Sequence, residues 1–178
     1  MLGRSDGVLN PGGIRFGPTD IYSVLENDEY SKLGIEETLV VGLMVEGGAD
    51  EKVILFIKVR RPSAWLKPKL TSQMRGTDTL GEELVKNIKT SIRVARSARH
   101  VPARIIQVGD IPVTLTGKKV EGEFPRQLAD SVADGEVPIR KVINGAPVQS
   151  INPATLRNPD CLAEYVKLGE EMRKEEGM

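Results

Sequence analysis

Lysine, arginine and backbone groups carry whatever chemistry this chain can do. It has one histidine, His100, and one cysteine, Cys161, in 178 residues. That leaves no His/Cys metal cluster and no Cys-His or Ser-His-Asp relay with a spare partner. The most suggestive local feature is the loop Thr114-Leu115-Thr116-Gly117-Lys118-Lys119. A lysine after glycine in a threonine-rich loop can bring an ammonium against a phosphate. The spacing is not that of a Walker A loop, because the preceding glycine is Gly109. On local features alone, Gly-Lys-Lys is more often a solvated turn. The segment Gly3 to Gly17 sets Arg4 and Arg15 among glycines, and arginine suits phosphate and ribose contacts. It lacks the dinucleotide-binding Gly-x-Gly-x-x-Gly spacing, so a hairpin with exposed arginines is the plainer reading. Lys86, Lys89, Arg93 and Arg96 form a basic helical stripe that either meets a polyanion or is a solvated face. His100 reads as a cap at a helix C-terminus and Cys161 as a packing residue. Trp65 reads as an anchor for the loop that holds it.

The elements that must position these residues follow from composition and periodicity. Apolar residues make up 39% and charged residues 28%, which suits a soluble domain with a moderate core. Lys+Arg and Asp+Glu are both 25, a balance that argues against a dedicated nucleic-acid binder. The longest apolar runs are too short to span a bilayer, and the N-terminal residues carry no apolar signal region. A lone cysteine is expected of a reducing, cytoplasmic compartment.

Glycines 12, 13 and 17 predict a tight hairpin or loop over residues 1 to 17. A short helix then begins near Pro18, with Thr19 as N-cap, Asp20 in the first turn, and Ile21, Val24 and Leu25 on one face. Thr38–Val45 and Lys52–Val59 read as an antiparallel pair around a turn at 47 to 50. The unbroken apolar run of the second strand predicts burial on both its faces. Residues 60 to 78 form a long connection without a clear period. Thr79-Leu80-Gly81-Glu82 has capping-box spacing. Behind it, Leu80, Leu84, Ile88 and Ile92 mark an amphipathic helix ending near Ser97. Arg104–Val108 reads as a third strand, 122–136 as a helix and then a loop, and Cys161–Glu176 as a short charged helix. Four prolines between 137 and 159 speak against a second core in the tail. The expected fold is a small α+β domain of about three strands with flanking helices and a short N-terminal hairpin.

The order of these weak signals is more specific than any one of them. Gly3-Arg4-Ser5-Asp6-Gly7-Val8-Leu9-Asn10, then Gly13-x-Arg15-Phe16-Gly17, then Asp20-Ile21-Tyr22, resembles the inter-domain segment of the adenylate-forming acyl- and aryl-CoA ligases. Ile111 to Lys118 resembles the catalytic-lysine loop of that superfamily. The likeness to one member is closer still. It extends to Val53-Ile54-Leu55-Phe56, Ser97-Ala98-Arg99-His100-Val101-Pro102, Gly117-Lys118-Lys119-Val120-Glu121 and Asn158-Pro159-Asp160-Cys161-Leu162. Six segments agree in order over nearly the whole chain.

The resemblance implies a fold and a set of roles. The chain corresponds to the small C-terminal lid of such a ligase, with residues 1–17 as hinge and hairpin, 18–136 as the lid core and 137–178 as a C-terminal extension. The implied substrates are a carboxylic acid, ATP (with Mg in the large domain) and CoA. The lid rotates between two poses, one for adenylation and one for thioester formation. Lys118 falls on the adenylation lysine, Asp6 on the hinge, and Arg4 on a nucleotide-contacting arginine. Gly13 and Arg15 fall on the loop that lines the thioester site, with Arg15 also assigned to the nucleotide, and Arg93 on a CoA phosphate contact. Lysines at the position of Lys118 are acetylated in some relatives, which would remove the charge. No metal ligand, nucleic acid or membrane partner is implied. The superfamily often has an arginine soon after the lysine, where this chain has Lys119-Val120-Glu121. Residues 122–136 and part of 60–78 look inserted. The chain begins at the hinge, so the large adenylation domain is expected as a partner in cis or in trans. The chain alone is expected to be inactive, as an excised lid or a truncated gene product. The other reading is a stand-alone accessory or CoA-binding module acting in trans.

Overall fold

The structure, a computed structural model, describes residues 8–44, 50–60, 80–120, 143, 154 and 156–175. Arg4, Asp6, Trp65, Thr79, the residues 61–78 and the expected helix at 122–136 lie outside these residues.

Three strands make one sheet in the order β1-β2-β3. β1 (Ile35–Met44) and β2 (Glu51–Val59) are the expected antiparallel pair, with Thr38 opposite Ile57 and Met44 opposite Glu51. β3 (Arg104–Val108) lies parallel to β2, Ile54 opposite Arg104 and Lys58 opposite Val108. A parallel neighbour needs a crossover between the two strands. The intervening stretch contains α3 (Glu82–Ala95).

β2 is the central strand, and Val53 to Ile57 are all at most 2% exposed. Alternation divides them between two faces. Val53, Leu55 and Ile57 pack with Leu9, Phe16, Ile21, Leu25, Ile88 and Ile92. Ile54 and Phe56 pack with Ile111, Val120, Tyr165, Leu168 and Met172 on the other face. The expected burial on both faces is what the structure has. Phe56 meets the Tyr165 ring edge-on, centroids 4.9 Å apart, the preferred arrangement for ring quadrupoles.

Among the described residues the expected helices form but start differently. α1 (Pro18–Leu25) is capped by Gly17, not Thr19. Pro18 takes the first helical position, where its missing N–H costs nothing. The Asp20 carboxylate accepts from the Gly17 N–H at 3.2 Å. A short α2 (Asp28–Lys32), absent from the sequence reading, is capped by Asn27, whose Oδ1 accepts from the Glu29 and Tyr30 N–H groups. α3 begins after Gly81 with no side-chain cap and ends at Ala95. Its buried residues are Ile88 and Ile92, and Leu80 is buried just before it. A 3-10 turn, Pro159–Cys161, leads into α4 (Leu162–Glu175). The described residues of the tail join the sheet's core, to which they contribute Leu156, Leu162, Tyr165, Leu168 and Met172.

Phe56→Ala is expected to cost roughly 3–5 kcal/mol, because it removes a buried ring and leaves a cavity. Val94→Ala, at a position 81% exposed, is expected to stay within about 0.5 kcal/mol. Urea unfolding of the two variants checks this pair.

Candidate functional site

The lysine loop is a tight hairpin held by its own polar groups. The Thr114 N–H donates to the Lys118 carbonyl and the Gly117 N–H to the Thr114 carbonyl, both at 2.8 Å. The Lys118 N–H donates to Thr114 Oγ1 at 3.0 Å, and that hydroxyl meets Thr116 Oγ1 at 2.8 Å. The turn closes through Gly117 at φ +82°, a conformation that strains any residue with a Cβ. Val113 and Lys119 pair across the hairpin. Ile111 and Val120 are buried on either side of it.

The two adjacent lysines have opposite environments. Lys118 is exposed. Among the described residues, its ammonium makes no hydrogen bond or ion pair that fixes it to the domain. Lys119 is half-buried, ion-paired to Glu26 and 4.0 Å above the Tyr22 ring. Glu26 also accepts from Thr38 Oγ1 at 3.0 Å. One lysine fastens the loop to α1 and β1 while its neighbour projects into solvent.

The base of the loop is tied to β2 and to the tail. Lys58 donates to the Asp110 carboxylate at 2.8 Å. Asn158 Nδ2 donates to the same carboxylate and to the Ile111 carbonyl at 2.8 Å. Asn158 Oδ1 accepts from the Val113 N–H at 3.1 Å. The Arg157 N–H donates to the Val113 carbonyl at 3.0 Å, and Tyr165 Oη to the Asp110 carbonyl at 3.1 Å. Burial would raise the Asp110 carboxyl, but the hydrogen bonds from Lys58 and Asn158 outweigh it and hold it below the usual range. Burial pushes the Tyr165 hydroxyl up. Burial, with Asp110 nearby, pushes the Cys161 thiol up to about 12. A thiol so raised is not a nucleophile at neutral pH, in keeping with a packing role.

The glycine-rich hairpin lies at the other end of the sheet. Leu9 and Phe16 exchange backbone hydrogen bonds at 2.8 and 3.0 Å. The Asn10 N–H donates to the Glu51 carboxylate and the Gly12 N–H to Asp50, each at 2.7 Å. Gly13 has φ +81°, and a Cβ placed there would meet nothing within 4 Å. Arg15 is exposed. The Arg99 guanidinium lies across Gly12. The His100 ring stacks on Phe16 at 4.1 Å and its Nδ1 meets Ser97 Oγ at 2.9 Å. His100 is therefore no cap of α3, whose C-cap is Arg96. From Glu51 to Ile57, opposite Thr38, β2 advances about 20 Å. That strand length separates the Gly12–Gly13 turn from the lysine loop.

The basic stripe splits. Lys86, Lys89 and Arg93 line a groove of about 840 Å³ between α3 and β3, with Arg104 and Gln107 on its other wall. Arg96 turns away to the Asp20 carbonyl at 3.1 Å and Ser23 Oγ at 2.7 Å. The groove also reaches Ala98, Val101 and Ala103, on the turn that carries Arg99 and His100. The groove runs along β3 from Arg104, opposite Ile54, to Gln107, opposite Ile57. Among the described residues, no His/Cys/Asp/Glu group could hold a metal, and no helix is long and apolar enough to cross a membrane.

Asp110, Asn158 and Tyr165 are the residues that the sequence reading did not assign to the site. Asn158 was inside a recognised segment, and asparagine before proline is suited to bonding nearby backbone. Its partners are 45 to 48 residues away, which no local spacing reveals.

No family model matches the chain. It is 42% identical over 140 residues to the acetoacetyl-CoA synthetase of Xenopus tropicalis, covering 79% of this chain and 17% of that protein. It is 35% identical over 162 residues to the malonamoyl-CoA synthetase of Penicillium aethiopicum, covering 91% of this chain and 18% of that protein. The solved acetoacetyl-CoA synthetase of Streptomyces lividans superposes with a TM-score of 0.64 at 31% identity, over 96% of this chain and 20% of that one. Each of these relatives is named as a CoA synthetase. Within that class this chain matches the acetoacetyl-CoA synthetase family in sequence and in fold. It spans about one fifth of the length of these relatives.

The Asp110 carboxyl gives an acid-stability signature. Its native pKa is lowered, so the unfolded chain takes up the proton first as pH falls. Its contribution to stability is present above the ordinary carboxylate range, around pH 4, and is lost as pH drops through the lower native value. Asp110→Asn is expected to flatten that part of the stability profile, read by urea unfolding at pH 2 to 6.

Proposed function

We propose that this chain is the catalytic-lysine lid of an ATP-dependent acid–CoA ligase. The whole reaction converts acetoacetate, ATP and CoA to acetoacetyl-CoA, AMP and pyrophosphate, with the large adenylation domain supplied in cis or in trans. The observation that carries this reading is the placement of the assigned groups. Lys118 projects from the end of the sheet where β2 reaches Lys58, while the Gly12–Gly13 turn lies about a strand's length away, where β2 begins. A rigid body with its two sets of groups at opposite ends must turn to present each of them to one fixed acyl group. That is what a two-step ligase requires of its lid.

In the first step a carboxylate oxygen attacks the α-phosphorus of ATP and pyrophosphate leaves. Lys118 places its ammonium where negative charge builds on the α-phosphate and the entering carboxylate. Closure against the large domain strips water from that site and strengthens the attraction. A compact cation on a long flexible stem suits a group that must enter and withdraw. In the second step the CoA sulfur attacks the acyl carbon and AMP departs. The open backbone at Gly13 leaves room for the pantetheine arm. Arg93, with Lys86 and Lys89 beside it, meets the CoA phosphates. Arg4 and Arg15 serve the nucleotide, and Asp6 is the hinge at which the backbone turns. Acetoacetate is the acid named for the frog and Streptomyces relatives, whereas the fungal relative is named for another. The acid pocket belongs to the large domain.

In the assembled ligase, Lys118→Ala is expected to reduce adenylation at least about 100-fold, read by pyrophosphate exchange. Thioester formation from pre-made acyl-adenylate should survive. Equal loss of both half-reactions would argue against the role.

The chain alone is expected to form no acyl-adenylate and to bind CoA too weakly for calorimetry. Micromolar CoA binding that Arg93→Ala abolishes would favour a stand-alone CoA-binding module instead.

A further inference from the structure

We propose that Asn158, in the C-terminal tail, is a positioning residue for adenylation: it sets the loop that carries Lys118. The inference rests on the reading of Lys118 as the adenylation lysine. An exposed cation on a hairpin tip is useful only if the hairpin is held to within about half an ångström. The Lys118 ammonium has no fastening of its own among the described residues, so its position is inherited from the backbone of the loop and from the loop's base.

One amide makes three of the hydrogen bonds that hold that base. A side-chain amide offers two N–H donors and one carbonyl oxygen, and Asn158 uses all three on a single stretch. It donates to the Asp110 carboxylate, donates to the Ile111 carbonyl at 2.8 Å and accepts from the Val113 N–H at 3.1 Å. The amide orientation is not interchangeable. Val113 N–H can only donate and the Ile111 carbonyl can only accept, so a flipped amide would set two pairs of like groups together. Asn158 is itself fixed from both sides. Arg157 bonds the Val113 carbonyl through its N–H, and Thr114 pairs with Leu156. On the other side the Cys161 thiol reaches the Asn158 carbonyl at 2.9 Å, and α4 follows with Tyr165 buried in the core. Asp110, the shared carboxylate, is tied onward to Lys58 on β2. The amide thus joins the loop to a helix and, through one carboxylate, to the central strand.

Removing these bonds should let the loop wander by a fraction of an ångström to an ångström, a displacement that costs a reacting group up to about 100-fold. The experiment uses the assembled ligase and measures the two half-reactions separately. Asn158→Ala is expected to lower the adenylation kcat at least about tenfold, with KM for ATP and the rate from pre-made acyl-adenylate within about twofold. Asn158→Asp has the same volume and keeps the acceptor for Val113. It loses both donated bonds and faces a second carboxylate, so the same split is expected without a cavity. Unchanged adenylation in both variants, or equal loss in the two half-reactions, would overturn the proposal. Lys118→Ala is run in parallel. If it spares adenylation, the reading of the lysine itself fails. If it abolishes adenylation while both Asn158 variants are silent, only the role of Asn158 fails.

Discussion

Five consecutive side chains of β2, from Val53 to Ile57, are withdrawn from water on both faces of the sheet. A three-stranded sheet cannot achieve that by itself, and the rest of the chain is arranged to supply the two covers. α1, α3 and the N-terminal hairpin cover one face. The loop after β3, α4 and the tail cover the other. Each glycine-turned loop of the site is pinned by two flanking apolar residues, Leu9 and Phe16 for the first, Ile111 and Val120 for the second. The side chains that hold the loops on the sheet are core residues, so their burial serves stability and placement together.

This arrangement divides the chemistry in space. The glycine hairpin is tied to the start of β2 and the lysine loop to its end. Charge is divided as well, although the chain is neutral as a whole. Lys86, Lys89 and Arg93 gather along the groove between α3 and β3, where Arg104 is ion-paired to Glu175. At the lysine loop, Lys58 and Lys119 are neutralised by Asp110 and Glu26, which leaves Lys118 as the projecting cation. The net charge conceals a distribution that only the fold discloses.

What was legible in the sequence was what repeats locally. The apolar run of β2 announced burial on both faces, and the four-residue spacing from Leu80 to Ile92 announced α3. Cap positions were misread because a threonine near a helix start is a good cap only if the chain turns there. Pro18 set the first turn and left Gly17 to precede it, and α3 starts after Gly81 rather than at Thr79. Arg96 fitted the basic stripe by periodicity but lies where α1 crosses, and it bonds Asp20 and Ser23 instead. The prolines of the tail gave no hint that Tyr165 would be among the most buried side chains of the core. Asn158 and Asp110 were invisible as site residues because their bonds connect segments far apart in sequence, where no periodicity operates.

The twin lysines at the loop tip have a consequence for how the loop can change over generations. Their neighbouring side chains leave the hairpin on opposite sides, one toward solvent and one toward Glu26 and the Tyr22 ring. Loss of one residue between Thr114 and Lys118 would still put a lysine at the exposed place. The inner place would then fall to Val120, which cannot pair with Glu26 and would leave the buried position it now fills. The doublet encodes the length of its own loop. Insertions and deletions are excluded there more stringently than substitution at the exposed Leu115, and variation between descendants of this chain should accumulate at that residue rather than by change of length.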